Sequence, residues 1–462
     1  MKTPSSRNRK TKQKKQQVTV DQNWSVLHPD AAGIDLGARE HWVALPPGRA
    51  EQTVRPFGTT TPDLDALALW LQEHGVTHVA MEATGVYWIA VFQLLERKGF
   101  QVLLVNARQI KNVSGRKSDV LDCQWIQRLH AYGLLGGSFR PADAYCVVRS
   151  YVRYRDELIA ARSVQIQHMQ KALLQMNLQL SAVLSDLSGE SGQAIIGAIL
   201  KGERNPVSLA ALAHRRVKSS QEQIAKALVG NYRAEHLFVL QTAYDLFLNY
   251  ESKIAACDEQ LTMELAGLPD RVDPSVRPLP AKAKGKKIEA GLREALYRKL
   301  GADLTALEGV GPTVALTVLT EVGPELSAFP SEKHFSSWLG LCPDHRISGG
   351  KILSRRTRRV VHRLSDVLRL AATALEHSAS ALGVYYRRMK AKLGAAEAIT
   401  ATAHKLARVI YRLLRHGEDY VRRGLEEEEQ KYQERKLTNL KRTAAALGFE
   451  LVEKPTFPAA VS

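Results

Sequence analysis

The sequence predicts a mixed fold, an α/β domain at the N-terminal end followed by two all-α segments, and three observations predict it. Short runs with strand-like alternation give way to alternating helix and strand spacing up to about residue 146. From Val147 the apolar residues fall almost wholly at helical spacing. A proline- and lysine-rich break at 269–287 separates this stretch from a second helical region beginning at Leu300. With 462 residues the chain has room for about three domains at roughly 150 residues each.

Residues 1–24 read as a basic flexible arm, since Lys2 to Lys15 holds seven Lys or Arg, no acid and no apolar face. Such a tract either binds phosphate or merely solubilises. Ala32-Gly33-Ile34-Asp35-Leu36-Gly37 and His41-Trp42-Val43-Ala44-Leu45 are predicted strands joined by a tight turn, with Val54 to Thr59 a third. Leu64, Leu67 and Leu71 set a helix over Asp63 to Glu73, and Val76 to Glu82 is strand-like. Tyr87 to Lys98 is helical, Gln101 to Val105 a strand, and Asp119 to Tyr132 the closing helix of a domain over 25–146.

Within 147–299, Ile166, Met169, Leu173, Met176, Leu180 and Val183 are spaced 3,4,3,4,3, an a/d seam that suits a dimerising coiled coil or a helical hairpin inside one chain. The segment closes on Pro269, Pro274, Pro278 and Pro280 and on Lys282, Lys284, Lys286 and Lys287, a linker or exposed basic loop. A second helical domain is expected over 300–423 and a polar, solvated tail over 424–462.

Lys and Arg number 65 against 47 Asp and Glu, and the net charge of +18 favours a polyanionic partner, nucleic acid first. No uncharged apolar run approaches the ~18 residues of a membrane helix, so a soluble cytoplasmic chain without membrane contact is expected. Cys123, Cys146, Cys257 and Cys342 form no C-x-x-C pair, which leaves neither zinc knuckle nor disulfide framework. The lack of a Walker loop or Rossmann glycine fingerprint argues against a nucleotide-driven motor.

Asp35 lies in an otherwise apolar strand, Glu82 ends another, and Asp119 and Asp122, three apart on a helix, sit only about 60° from each other. In a three-strand meander continued by parallel strands, the first and fourth strands are natural neighbours, so the four carboxylates can converge. Such a cluster repels itself unless cations fill it. Hard oxygen donors suit Mg²⁺, and two ions ~4 Å apart stabilise the entering and leaving oxygens of a phosphodiester. Singly, each acid reads as a turn, cap or solvated-face residue; together, in so basic a chain, they point to phosphoryl transfer on nucleic acid.

Two further motifs lie in the second helical domain. Gly309-Val310-Gly311-Pro312 has the pattern of a helix-hairpin-helix whose N–H groups approach a phosphate, and equally of a plain helix–helix turn. Ser348 stands just after Arg346 and before two glycines, and Lys351 to Arg369 holds seven Lys or Arg and one acid. That setting makes Ser348 a nucleophile candidate. A Ser-Gly-Gly turn is also a common structural device, and no Ser-His-Asp arrangement follows from spacing.

Gly33-Ile34-Asp35, Met81-Glu82-Ala83-Thr84-Gly85, Lys117-Ser118-Asp119-Val120-Leu121-Asp122, Gly309-Val310-Gly311-Pro312, Gly340-Leu341-Cys342-Pro343 and Ser348-Gly349-Gly350-Lys351 with Leu368-Arg369 occur in that order. From Gly33 to about Leu375 the chain thereby resembles the DEDD-type transposases of the insertion-sequence-110 family, in its insertion-sequence-1111-like group. The resemblance implies an RNase H-like, RuvC-type domain in which Asp35, Glu82, Asp119 and Asp122 bind Mg²⁺, and a C-terminal transposase domain supplying Ser348 as nucleophile. It implies recombination of donor and target DNA through a phosphoserine link, guided by an element-encoded bridge RNA, in the prokaryotic cytoplasm at the nucleoid. Dimers would join into a tetramer in which the serine of one subunit completes the metal site of another, with the helix of the Ile166–Val183 seam as dimer device.

Lys117, Gly309, Gly311, Arg346, Lys351, Arg355, Arg356, Arg358, Arg359 and Arg369 would then meet nucleic acid, since a protein holding RNA and two duplexes needs extensive phosphate neutralisation. Many members carry Gly-Asn shortly before Leu-Arg; here Val361-His362-Arg363-Leu364 stands instead, so no role carries over to His362 or Arg363. Two rivals remain: a RuvC-like Mg²⁺-dependent hydrolytic nuclease or junction resolvase using the same acids and water, and a non-catalytic RNA-binding scaffold.

Overall fold

The computed structural model describes residues 25–83, 85–106, 119–279, 290–354, 356–358 and 360–452. The basic arm, Lys117, Arg355, Arg359 and the lysines at 282, 284, 286 and 287 lie outside the described residues. The chain divides into two compact units, residues 1–139 and 140–462.

The first unit is built on a sheet of order β3-β2-β1-β4-β5, comprising β1 (Ala31–Leu36), β2 (Glu40–Ala44), β3 (Val54–Gly58), β4 (His78–Glu82) and β5 (Gln101–Val105). The first three strands are antiparallel, while β4 runs parallel to both β1 and β5. β4 starts two residues later than its apolar pattern suggests, because the Val76 N–H is used to close the end of the preceding helix on the Leu71 carbonyl at 3.0 Å. Ala32, Ile34 and Leu36 turn to one face and pack on α1 (Thr61–Glu73) and α2 (Trp88–Arg97) through Leu64, Leu67, Leu71, Val91 and Leu95.

The opposite face is covered by α3 (Asp119–Ala131), whose Trp125, Ile126 and Leu129 bury Ala80 and Val105. This helix runs antiparallel to β1. The Gln127 amide donates to the Ala31 carbonyl at 3.1 Å, and the Ala131 carbonyl at the far end accepts from Leu27 and His28 at 2.8 and 2.9 Å. The first turn of α3, with Asp119 and Asp122, therefore points toward the end of β1 that carries Asp35.

At the other end of α3, the rings of His28, His78 and His130 lie 4.5, 5.1 and 6.2 Å apart. Asp30 stands 4.0 Å from His78 Nδ1. His130 is 5 % exposed, and burial, followed by its two histidine neighbours, lowers its pKa from 6.5 to about 4. It is neutral when folded, whereas the unfolded chain takes up its proton near pH 6.5. Folding therefore loses stability as pH falls from about 6.5 to about 4 and not above, by ~3 kcal/mol at full extent. The thermal midpoint of His130→Leu is expected to fall less than that of the wild type across this window; equal falls would refute the assignment.

The second unit opens with α4 (Asp143–Gln175), which pairs antiparallel with α9 (Ala234–Gly267). Leu158 packs on Ile254 and Cys257, and Arg155 and Arg162 pair with Asp258 and Glu251. Between them, α5 (Leu180–Val183), α6 (Glu190–Leu200), α7 (Pro206–Ala211) and α8 (Gln221–Ala227) cap the hairpin. The dimer-seam expectation is overturned here. Helix α4 stops at Gln175 and Asn177 takes φ +53°, so the six seam residues do not share one helix. Met169, Leu173, Met176 and Leu180 are at most 1 % exposed against Ile195, Ile199, Leu240 and Phe247 of the same chain. The seam is an internal core.

There follow α10 (Ala290–Leu300), a 3₁₀ turn (Leu304–Ala306), α11 (Pro312–Glu321), α12 (Glu332–Trp338), β6 (Arg346–Ser348), β7 (Lys351–Ser354), α13 (Arg363–Ala374), α14 (Ala381–Leu393), α15 (Ala395–His416) and α16 (Glu418–Ala446). The Arg153 guanidinium clamps the buried Glu321 carboxylate at 2.8 and 2.7 Å, tying α4 to α11. The described part of the proline-rich stretch is held rather than free, for the Arg271 N–H donates to the Arg298 carbonyl at 2.8 Å and Lys299 pairs with Asp270 at 2.8 Å. The expected polar tail at 424 falls inside α16, which begins directly after Gly417 at φ +84°. Among the described residues no helix is long and apolar enough to cross a membrane.

Candidate active site

One row of residues crosses the sheet of the first unit. Pro56 pairs with Trp42, Trp42 with Asp35, and Glu82 with Val105. Ile34 pairs with Met81, so Asp35 and Glu82 are the next step along the adjacent parallel strands β1 and β4. Side chains alternate along a strand, and Gly33, Ala80 and Val105 face α3, which puts Asp35 and Glu82 on that same face.

The helix reaches this end of the sheet because β1 offers no side chain where it crosses. A Cβ on Gly33 would lie 2.3 Å from Gln127 N and 2.4 Å from the Cys123 carbonyl oxygen. Asp122 stands on α3 next to Cys123. Burial, with the carboxylates of Asp35 and Asp122 adding to it, pushes the Cys123 thiol up to about 12. One buried thiol thus feels an acid from the strand and an acid from the helix. Asp119 opens the same helix, and its side chain lies outside the described residues. Among the described residues no three His, Cys, Asp or Glu side chains are gathered as a metal ion would need. The donors arranged at this end are hard carboxylate oxygens, the chemistry Mg²⁺ takes.

In the second unit Ser348 is the last residue of β6 in a two-stranded hairpin, paired with Lys351 and exposed. The Ser-Gly-Gly stretch is a tight hairpin turn, for which Gly349 and Gly350 at φ +55° and +76° supply the two consecutive left-handed residues, and it presents the hydroxyl at its rim. Arg346 pairs with Ser354 through the backbone. Lys351 and Arg356 are exposed beside the turn. Arg358 donates to the Ser337 carbonyl at 2.7 Å, and Arg369 is paired with Asp366 at 2.9 Å, so these two cations already have partners.

Gly309 takes φ +81°, and a Cβ at this position would lie only 3.0 Å from the Ala371 carbonyl oxygen of α13, so packing in this turn accounts for it. Gly311 is the N-cap of α11 and faces open space. His362 caps α13, its Nδ1 accepting from the Leu364 N–H at 3.2 Å, and burial lowers its pKa, in keeping with a neutral acceptor. Arg363 pairs with Asp156 at 2.8 Å. Sequence reasoning missed Gln127, whose only signal was a polar residue on the buried face of α3.

Residues 32–178 match a family model named DEDD_Tnp_IS110 and described as "Transposase", and residues 302–387 match "Transposase IS116/IS110/IS902 family". The y4pF/y4sB protein of Sinorhizobium fredii, named as a transposase, is 33% identical over 127 residues, 25% of this chain and 32% of that protein. The IS110 insertion-element protein of Streptomyces coelicolor is 32% identical over 119 residues, 25% of this chain and 29% of its own length. The IS117 mini-circle protein of Streptomyces coelicolor, also named as a transposase, is 24% identical over 376 residues, 78% of this chain and 87% of its own. The matched stretch thus spans about a third of the first two relatives and most of the third. The two family models, which take in all four acids and Ser348, place the chain among the transposases. Within them it belongs to the IS110 family.

Proposed function

We propose that the protein cuts and rejoins DNA by attack of the Ser348 hydroxyl on a phosphodiester held at Asp35, Glu82, Asp119 and Asp122. The observation that carries this reading is the adjacency of Asp35 and Glu82 on neighbouring parallel strands, with the first turn of α3 aimed at the same end. Mg²⁺, two ions per site, would supply charge neutralisation and orient the phosphate. Ser348 Oγ forms the new P–O bond, its proton leaves to solvent, and the departing sugar oxygen takes a proton to become a free hydroxyl. The phosphoserine ester keeps the energy of the broken bond, so rejoining by reversal needs no nucleotide cofactor.

The net charge of +18 supports a substrate of donor and target DNA together with a guide RNA, in which base pairing and not side chains carries the sequence code. Assembly of dimers into a tetramer would use surfaces other than the Ile166–Val183 seam, which is internal.

The test is incubation with element-end DNA, co-purified RNA and Mg²⁺, followed by a search for a phosphorylated Ser348 peptide. Because Ser348 is exposed on a hairpin held by its glycines, Ser348→Ala should fold as the wild type while losing both cleavage and adduct. A variant that still cuts would identify a hydrolytic nuclease that uses water instead.

A further inference from the structure

We propose that Trp42 is a stacking platform for a nucleobase beside the cut phosphodiester; this rests on the DNA-cutting reading of the carboxylate site. Opposed residues of an antiparallel pair have Cβ atoms about 4.5–5.5 Å apart on one face. The register sets Trp42 against Asp35 on one side and Pro56 on the other. The row across the sheet therefore changes character at β1, acidic through Asp35 and Glu82 in one direction, aromatic and apolar through Trp42 and Pro56 in the other.

Helix α3 crosses this face at the preceding pair, Gly33 and Ala44, where the side chains are small. Trp42 lies one pair beyond that crossing, partly exposed, and Pro56 beyond it on the edge strand is exposed. The Trp42 Nε1 donates to Glu40 Oε1 at 3.0 Å. That bond satisfies the one polar atom of the indole and fixes the ring, part of which stays exposed. The core lies on the other face of the strand, where His41 and Val43 are buried, so Trp42 adds nothing to it.

A phosphate held at Asp35 has its own sugar and base within a few ångströms, and a rigid indole one strand away is placed to take that base once it leaves its stack. Stacking on aromatic side chains is tolerant of sequence, which suits a protein whose specificity lies elsewhere. Trp42 is accordingly a positioning residue, and Glu40 holds it.

The experiment maps the wild-type cut in element-end DNA with co-purified RNA and Mg²⁺, then repeats it with an abasic site at each nucleotide flanking that cut. Trp42→Ala is expected to cut about 5- to 150-fold more slowly, with an unchanged Mg²⁺ midpoint, and Trp42→Phe to retain most of the rate. On one of the abasic substrates the wild type should fall to the rate of Trp42→Ala, and the variant should fall no further. A Trp42→Ala protein that keeps pace with the wild type, or that loses the same additional factor on both abasic substrates, overturns the platform and leaves the transposase reading standing. A wild type that cuts none of these DNAs overturns that reading and the platform with it.

Discussion

Replacing Asp35 with Asn is expected to lower DNA cleavage at least about a thousandfold while raising thermal stability in metal-free buffer. The two effects have one origin. Asp35 is adjacent to Glu82 across β1 and β4, and with Asp122 it flanks the buried thiol of Cys123. If these carboxylates gather as the proposed site requires, they would repel one another without cations, and neutralising one of them should relieve the fold. With Mg²⁺ present the wild type should gain stability from ligand binding and the variant should gain little. Losing about 4 kcal/mol of transition-state stabilisation accounts for the thousandfold fall. Thermal unfolding with and without Mg²⁺, run beside a cleavage assay, reads both effects. A variant that cuts within tenfold of the wild type would remove Asp35 from the metal site. One that cuts poorly yet shows the full Mg²⁺ shift would keep the acid in the reaction but not in the binding of the ion.

The second large effect is expected from Gly33→Ala, one methyl group placed two residues before Asp35. Its Cβ would stand 2.3 Å from Gln127 N, 2.4 Å from the Cys123 carbonyl oxygen and 2.8 Å from Gln127 Cα. All three are backbone atoms, so no side chain can swing aside and α3 itself must lift. Overpacking of this kind costs about 1–3 kcal/mol and occasionally more. A helix displaced from β1 also carries Asp119 and Asp122 away from Asp35 and Glu82, so cleavage should fall with stability. Gly311→Ala is the control: it meets open space within 4 Å and its φ of −99° suits any residue. It should lose no more than the roughly 1 kcal/mol that Ala costs at an N-cap. A Gly33→Ala protein as stable and active as the wild type would mean that α3 does not lie on β1.

Much of the first unit was legible in the sequence. Ile34 and Leu36 alternate with Asp35, and Leu64, Leu67 and Leu71 repeat at helical spacing, so periodicity alone placed the strands, the helices and the acids on them. The neighbouring positions of β1 and β4 followed from the connectivity of a meander continued by parallel strands, and the sheet order agrees. The second unit was less legible. Met169, Leu173 and Met176 have the spacing of a dimer seam, yet their partners are Ile195, Leu240 and Phe247 of the same chain. The short strands around Ser348 were hidden because a three-residue strand has no period to detect; only the two glycines marked their turn.

What the sequence by itself determined is which residues are apolar, acidic or basic and in what order, which is enough to place the elements of the α/β unit, to nominate four candidate acids and to point to the family. Only the tertiary structure decided what covers each apolar face, in what register the strands pair, and which glycine is a crossing point and not merely a turn. The reason is physical. Periodicity is a property of neighbouring residues and states that a face must be buried, whereas the partner that buries it is selected by packing between segments far apart in the chain, such as Gly33 beneath Gln127 or Trp42 beside Asp35.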